Sequence, residues 1–144
     1  MNQDLTENEV VDRVAAWLQG RGYKVTSTAH IGQQGDDVTA IAPDGKHLFV
    51  ECKGSISDAG NKGDRWGRAS EALFTAIRDK EAQRPQAIHA IAVPDVDGFR
   101  RLLDGLRDFT VREGIPVLWV RDDEEWEVWC DSLIIGDVDS GGRG

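Results

Sequence analysis

Residues 36–53, DDVTAIAPDGKHLFVECK, carry the clearest structural signal in the chain. Two apolar-alternating segments flank Pro43-Asp44-Gly45, a turn sequence in which Pro fixes φ and Gly accepts a positive φ. This pattern predicts a hairpin of two antiparallel strands. Because side chains alternate across a strand, Glu51 and Lys53 point to the same face, and we expect that face to lie beside Asp37.

The predicted hairpin gathers the residue types that phosphodiester hydrolysis uses. Asp37 and Glu51 offer hard oxygen ligands for Mg²⁺, which takes few protein ligands and keeps waters that a phosphate can replace. Such an ion activates water, while the ammonium of Lys53 can position that water or neutralise charge. An ordinary amphipathic hairpin with solvated charges fits the bare spacing as well. However, the strand is apolar on both faces around Glu51, which is typical of a buried central strand, and a charged pair there needs a reason.

An amphipathic helix precedes the hairpin. Its apolar positions recur at helical spacing, and Gly20 and Gly22 end it before a strand that opens at Tyr23. The stripe consists of Glu7, Val10, Val11, Val14, Trp17 and Leu18. Glu7 on this stripe is either a partner of the helix N-terminus or a third carboxylate that reaches the metal site. Glu9 is the rival acid, although it lies off the stripe.

The order of these motifs resembles the PD-(D/E)xK phosphodiesterase superfamily. The chain is most similar to archaeal Holliday-junction resolvases and methyl-directed restriction endonucleases, which also place a Glu on the first helix ahead of a Gly-aromatic pair. The resemblance covers roughly residues 6–80, and none of its motifs is specific alone. It implies Mg²⁺ or Mn²⁺ as cofactor and a site in which the catalytic and metal-binding groups are Asp37, Glu51, Lys53, Glu7 and the main-chain carbonyl of Cys52.

Two departures from the superfamily pattern concern single positions. Asp36 stands where the motif has Pro, so Asp36 competes with Asp37 for the role of first acid. We favour Asp37 because it directly precedes the strand that begins at Val38. Many relatives also carry a Gln on the helix after the lysine strand. The first turns of the helix here have none, so that contact is missing or is made by Arg68 or Ser70.

The remaining pattern completes the predicted fold. It predicts a helix over about residues 65–84 with Trp66 on its buried stripe, a strand over 87–93, a helix over about 97–113 and a hairpin formed by 116–121 and 126–130. We therefore expect an α/β fold, a restriction-endonuclease-like three-layer sandwich with a mixed sheet flanked by helices. Its order is an αβββαβ core followed by αββ. Residues 1–136 would form one domain, and residues 137–144 a disordered tail.

The charge of the chain limits how it can bind nucleic acid. With 26 acidic against 17 basic residues, a net charge of -9 opposes tight nonspecific DNA binding. Three cations follow Lys53 and would rim the metal site as phosphate contacts, unless they belong to a solvated loop balanced by Asp58 and Asp64. They are Lys62, Arg65 and Arg68. The expected partner is nucleic acid, with DNA favoured, helped by a homodimer or a protein partner that adds basic surface.

Other classes of protein find little support. No apolar run is long enough to span a bilayer and no secretory leader is present, so we expect a soluble, cytoplasmic protein without a membrane partner. Cys52 and Cys130 have neither metal-site nor disulfide spacing. The alternative function is a catalytically weak or inactive nuclease-fold module that binds a protein partner through the hairpin that carries Trp119, Trp126 and Trp129.

Overall fold

The computed structural model describes residues 3–29, 36–56, 65–123, 125–131 and 134, with only the backbone described at 65 and 83. The helices of eight or more residues are α1 (Glu7–Gly20) and α2 (Arg65–Arg78), and two shorter ones are α3 (Asp97–Leu103) and α4 (Arg107–Glu113). The strands are β1 (Lys24–Thr28), β2 (Val38–Ile41), β3 (His47–Cys52), β4 (Ile88–Pro94), β5 (Val117–Val120) and β6 (Glu127–Trp129).

All six strands form one mixed sheet in chain order. The first three are antiparallel neighbours, β4 pairs in parallel with β3 and with β5, and β6 closes the sheet as an antiparallel edge. Parallel neighbours need a crossover, which α2 supplies before β4 and α3 with α4 supply before β5. The chain therefore has the expected α/β architecture.

Helices cover both faces of the sheet. On one face, α1 buries Val10, Val14 and Leu18 against the apolar side chains of β2 to β5. On the other face, α2 and α3 pack Ala72 and Phe99 over β4 and β5. Every residue of β4 is buried, as expected for a central strand covered on both sides. The sheet is therefore the middle layer of three.

The hairpin predicted from residues 36–53 is present. Val38 pairs with Val50 and Ile41 pairs with His47 in an antiparallel register. Gly45 closes the turn with a φ of +90°, which glycine adopts without a steric cost. Burial alternates along β3. The side chains of Leu48, Val50 and Cys52 face α1, and those of Phe49, Glu51 and Lys53 point to the opposite face of the sheet. The predicted sharing of one face by Glu51 and Lys53 is therefore confirmed.

Two predicted helices are shorter than expected. The helix after Lys53 ends at Arg78, and a π-helical turn, Asp79–Gln83, follows it. The carboxylate of Asp79 accepts from Arg84, and the carbonyl of Asp79 accepts from the amide of Arg84, so both ends of this turn are tied together. The helix predicted over residues 97–113 is divided by a 3-10 turn at Asp104–Leu106. Gly105, a poor helix former, lies at this break.

Trp66 is not part of the buried stripe of α2, contrary to expectation. Trp66 is 67% exposed, and Phe74 is 64% exposed. The buried stripe consists of the small residues Ala69, Ala72 and Ala76. At 100° per residue, Trp66 lies about 90° from the centre of that stripe, so the helix turns it to the surface.

Some expectations concern residues outside the described ranges. The predicted disordered tail at 137–144 and the loop residue Lys62 belong to these. In the part of the chain that the structure describes, no helix is long and apolar enough to cross a membrane.

Candidate active site

The three motif residues of the hairpin meet where β3 ends. Continuing the β2–β3 register by one residue beyond Val38 and Val50 places Asp37 opposite Glu51. Asp37 Oδ2 accepts a hydrogen bond of 2.7 Å from the amide of Cys52, which ties the aspartate to the strand end. Lys53 Nζ lies 3.6 Å from Glu51 Oε2. The structure therefore brings Asp37, Glu51 and Lys53 together.

Glu7 reaches the same place because the chain after β3 packs against the start of α1. The amide of Ser55 donates to the carbonyl of Leu5 at 2.8 Å, and the amide of Leu5 donates to Ser55 Oγ at 3.0 Å. Between them Gly54 touches backbone: a Cβ built on Gly54 would lie 2.4 Å from the amide nitrogen of Glu7. This contact fixes the first turn of α1 beside the carboxylates of the hairpin.

Replacing Gly54 by Ala should therefore destabilise the protein. The three heavy atoms nearest to the added methyl all belong to the main chain, which cannot move aside as a flexible side chain can. We expect a loss of about 1–3 kcal/mol in the free energy of unfolding, as for other overpacked sites, measured by urea denaturation. The control is Gly105→Ala, because a Cβ at Gly105 meets nothing within 4 Å. Equal stability of the two variants would contradict this packing.

Burial and mutual repulsion raise the pKa of each acid at the site. For Glu51, burial and then the charge of Asp37 raise the pKa to about 7. Burial also raises the pKa of Asp37, although the hydrogen bond from the Cys52 amide opposes it. For Glu7, burial and the charge of Asp37 raise the pKa in the same direction. Burial and neighbouring carboxylates thus disfavour the ionised forms of these acids, and a nearby cation would favour them.

Glu71 is a site residue that the sequence analysis did not identify. It lies on α2, and its carboxylate forms a hydrogen bond and an ion pair with Lys53 Nζ. Burial alone would lower the pKa of Lys53, but the hydrogen bond to Glu71 and the charge of Glu51 outweigh it and raise the pKa. Lys53 is therefore held as an ammonium ion. No spacing within the sequence marks Glu71, because it reaches Lys53 across a contact between α2 and the end of β3.

The two rival acids are engaged elsewhere. Asp36 forms a two-point ion pair with Arg84 at 2.9 and 3.0 Å. Glu9 completes a capping box with Thr6 at the start of α1. Asp36 and Glu9 thus have other partners, whereas the charges of Asp37 and Glu7 both act on Glu51.

The predicted phosphate contacts are only partly described. Arg68 Nη1 donates to the carbonyl of Gly54 at 3.1 Å, so Arg68 supports the strand end that carries the site. Its charge also acts on Glu7. Lys62 and the side chain of Arg65 lie outside the described residues. Their roles as phosphate contacts stay predictions.

Two carboxylates of the site could serve as ligands for a small hard cation. In the described ranges, no group of three or more His, Cys, Asp and Glu side chains is arranged to hold a metal ion. Mg²⁺ is commonly bound by one or two carboxylates with waters and phosphate oxygens completing its shell. Asp37 and Glu51 can supply two such ligands, with the Cys52 carbonyl between Glu51 and Lys53 in the chain. The excess of acids over Lys53 and Arg68 favours added positive charge.

Two of the three tryptophans of the C-terminal hairpin lie in the core. Trp119 and Trp129 are fully buried and pack edge to face at 5.3 Å. Trp126 stacks on Trp17 of α1. The expectation that these three residues form a partner surface is therefore wrong, since at most Trp126 reaches solvent.

The comparisons with known proteins bear on the fold alone. No protein-family model matches the chain, and no curated protein matches it. A solved structure with a similar fold is that of an FdxN element excision controlling factor protein from Anabaena variabilis. The match has a TM-score of 0.50 and 21% sequence identity, and it covers 86% of this chain and 97% of that one.

Proposed function

We propose that this protein is a Mg²⁺- or Mn²⁺-dependent nuclease that hydrolyses phosphodiester bonds, with DNA as the favoured substrate, in a defence, repair or mobile-element context. One observation supports this most strongly: Glu7, Asp37, Glu51 and Lys53, which come from three separate elements, act electrostatically on one another at the end of β3. A buried charged cluster costs free energy, so its presence at one strand end favours a functional site. The restriction-endonuclease-like fold is part of the same proposal.

Each side chain has a distinct task in this proposal. Asp37 and Glu51 would hold the cation, which supplies a polarised phosphate and an activated water when bound. Lys53, whose raised pKa keeps it protonated, would neutralise the charge that develops on the phosphate and orient the attacking water. Glu71 would position Lys53, since it contacts the ammonium directly. Glu7 would add negative charge behind the two ligands.

The proposal predicts cleavage that depends on a divalent cation. Purified protein should cut DNA with Mg²⁺ or Mn²⁺, lose the activity in excess EDTA, and recover it when Mg²⁺ is restored, as gel analysis of a supercoiled plasmid would show. Single-stranded DNA and RNA tested in parallel would define the substrate. Cleavage that persists in EDTA would contradict a metal-dependent mechanism.

The acidic surface opposes DNA binding by the chain alone. A chain with a net charge of -9 gains little from counterion release, so we expect efficient cutting to require self-association or a basic partner. The alternative function, a weakly active or inactive module that binds a protein, has a more suitable surface in the exposed Trp66 and Phe74 of α2 than in the buried tryptophans.

A further inference from the structure

A cleft lies between the second half of α1 and the connection from β5 to β6. Its volume is about 510 Å³, within the range of small-molecule sites. The arginines and tryptophans that line it are Arg13, Trp17, Arg21, Arg121 and Trp126. Measured along α1 from Glu7 to Gly20, it is about 20 Å from the candidate active site at 1.5 Å per residue.

An aromatic stack forms one wall of this cleft. The rings of Trp17 and Trp126 lie parallel, with 4.7 Å between centroids and 4° between planes. Trp126 Nε1 donates to the carbonyl of Asp123 at 2.9 Å, which fixes the outer ring. The Arg21 guanidinium lies 4.1 Å from the centroid of the Trp17 ring. A planar ligand can extend such a stack, because parallel aromatic groups attract one another.

The charge of the cleft differs from that of the protein as a whole. Three arginines face two aspartates, Asp122 and Asp123, in a chain with a net charge of -9. Arg13 pairs with Asp122 at 3.4 Å. Among the described residues, no carboxylate forms an ion pair with Arg21. An arginine with free donors beside a ring stack suits a ligand that combines an aromatic ring with an anion.

We propose that this cleft binds a nucleoside phosphate. The base extends the stack of Trp17 and Trp126, and Arg21 and Arg13 hold the phosphate through charge-assisted hydrogen bonds. Asp123 lines the same cleft, and although its Oδ1 accepts from the amide of Glu125, its second oxygen can accept from a sugar hydroxyl or a base amino group. The same chemistry is offered by a free nucleotide and by an unpaired nucleotide of a strand. This inference does not depend on the proposed nuclease activity.

The test uses the indole N–H resonances of the full chain in two-dimensional NMR. EDTA is present throughout, so that no cation can recruit phosphate to the candidate active site. Adenosine 5′-monophosphate should shift the resonances of Trp17 and Trp126. The resonances of Trp119 and Trp129, which are buried on the other side of the sheet, should not shift. Adenosine and inorganic phosphate should each bind more weakly than the nucleotide.

Variants and a strand complete the test. Arg21→Ala should weaken nucleotide binding about tenfold, while the control Arg101→Ala, at an exposed position on α3, should bind as the unaltered protein does. In Trp126→Leu, adenosine 5′-monophosphate should bind no more tightly than inorganic phosphate, because the base has lost its stacking partner. A short oligodeoxyadenylate that binds more tightly than the mononucleotide would identify a strand as the source, and weaker binding would identify a free nucleotide.

Three results would overturn the inference. They are nucleotide titrations that leave Trp17 and Trp126 unchanged, phosphate or adenosine alone binding as well as the nucleotide, and Arg21→Ala binding with unaltered affinity.

Discussion

DNA cleavage should fall by roughly 100-fold or more in Asp37→Asn, Glu51→Gln and Lys53→Met, with each variant still folded. The first two changes keep the shape of the side chain and remove the charge that would hold the cation. The third removes the ammonium that lies 3.6 Å from Glu51. Single-turnover cleavage at saturating Mg²⁺ is the appropriate measurement, because it isolates the chemical step from product release.

The chain supplies matched controls for these variants. Asp36→Asn alters the neighbouring acid, whose carboxylate is engaged by Arg84. Glu9→Gln alters an acid in the first turn of α1, and Gln can still complete the capping box with Thr6. Both controls should cut at close to the rate of the unaltered protein once their folded fraction is matched. Equal losses in the controls and the site variants would contradict the assignment of the site.

Glu51→Gln should make the protein more stable at pH 8 while it abolishes cleavage. Burial and Asp37 raise the pKa of Glu51 from 4.5 to about 7, so ionised Glu51 destabilises the folded state. At 1.36 kcal/mol per pKa unit, the gain at pH 8 has an upper limit of about 3 kcal/mol. Loss of the Glu51 contact with Lys53 reduces it, although Glu71 still holds the lysine.

The pH dependence of that gain follows from proton binding. Between pH 4.5 and about 7 the folded protein keeps a proton on Glu51 that the unfolded chain releases, so its stability falls as pH rises. Below pH 4.5 both states are protonated, and the difference between Glu51→Gln and the unaltered protein should vanish. Urea denaturation at pH 4 and pH 8 without divalent cations measures both. If Glu51→Gln were less stable than the unaltered protein at pH 8, ionised Glu51 would not destabilise the folded state, contrary to this prediction.

Local signals in the sequence were sufficient to predict most of the fold. The hairpin of residues 36–53 carried a turn that requires a positive φ and strands with period 2, and both are present. The break at Gly105 was not predicted, because the apolar pattern of the helix continues through it. The π-helical turn at Asp79 was not predicted either. The turn at Asp79 depends on Arg84, whose partners Asp36 and Asp79 meet only in the folded sheet.

The site was predictable where strand geometry places its residues. Asp37, Glu51 and Lys53 follow from register and alternation, and Glu7 from its position on the helix stripe. Glu71 was missed because it reaches Lys53 from α2, across a contact between elements that no spacing within the sequence encodes. The same holds for Trp66, whose exposure is set by how closely the alanines of α2 approach the sheet.

Calorimetric titration with Mg²⁺ would show whether Asp37 and Glu51 hold a cation, and it requires no known substrate. The account predicts binding to the unaltered protein and to Asp36→Asn, with binding lost in Asp37→Asn and in Glu51→Gln. Affinity should also weaken as pH falls below about 7, where the proton on Glu51 competes with the cation. Absence of binding at millimolar Mg²⁺, or binding that survives in Asp37→Asn, would contradict it.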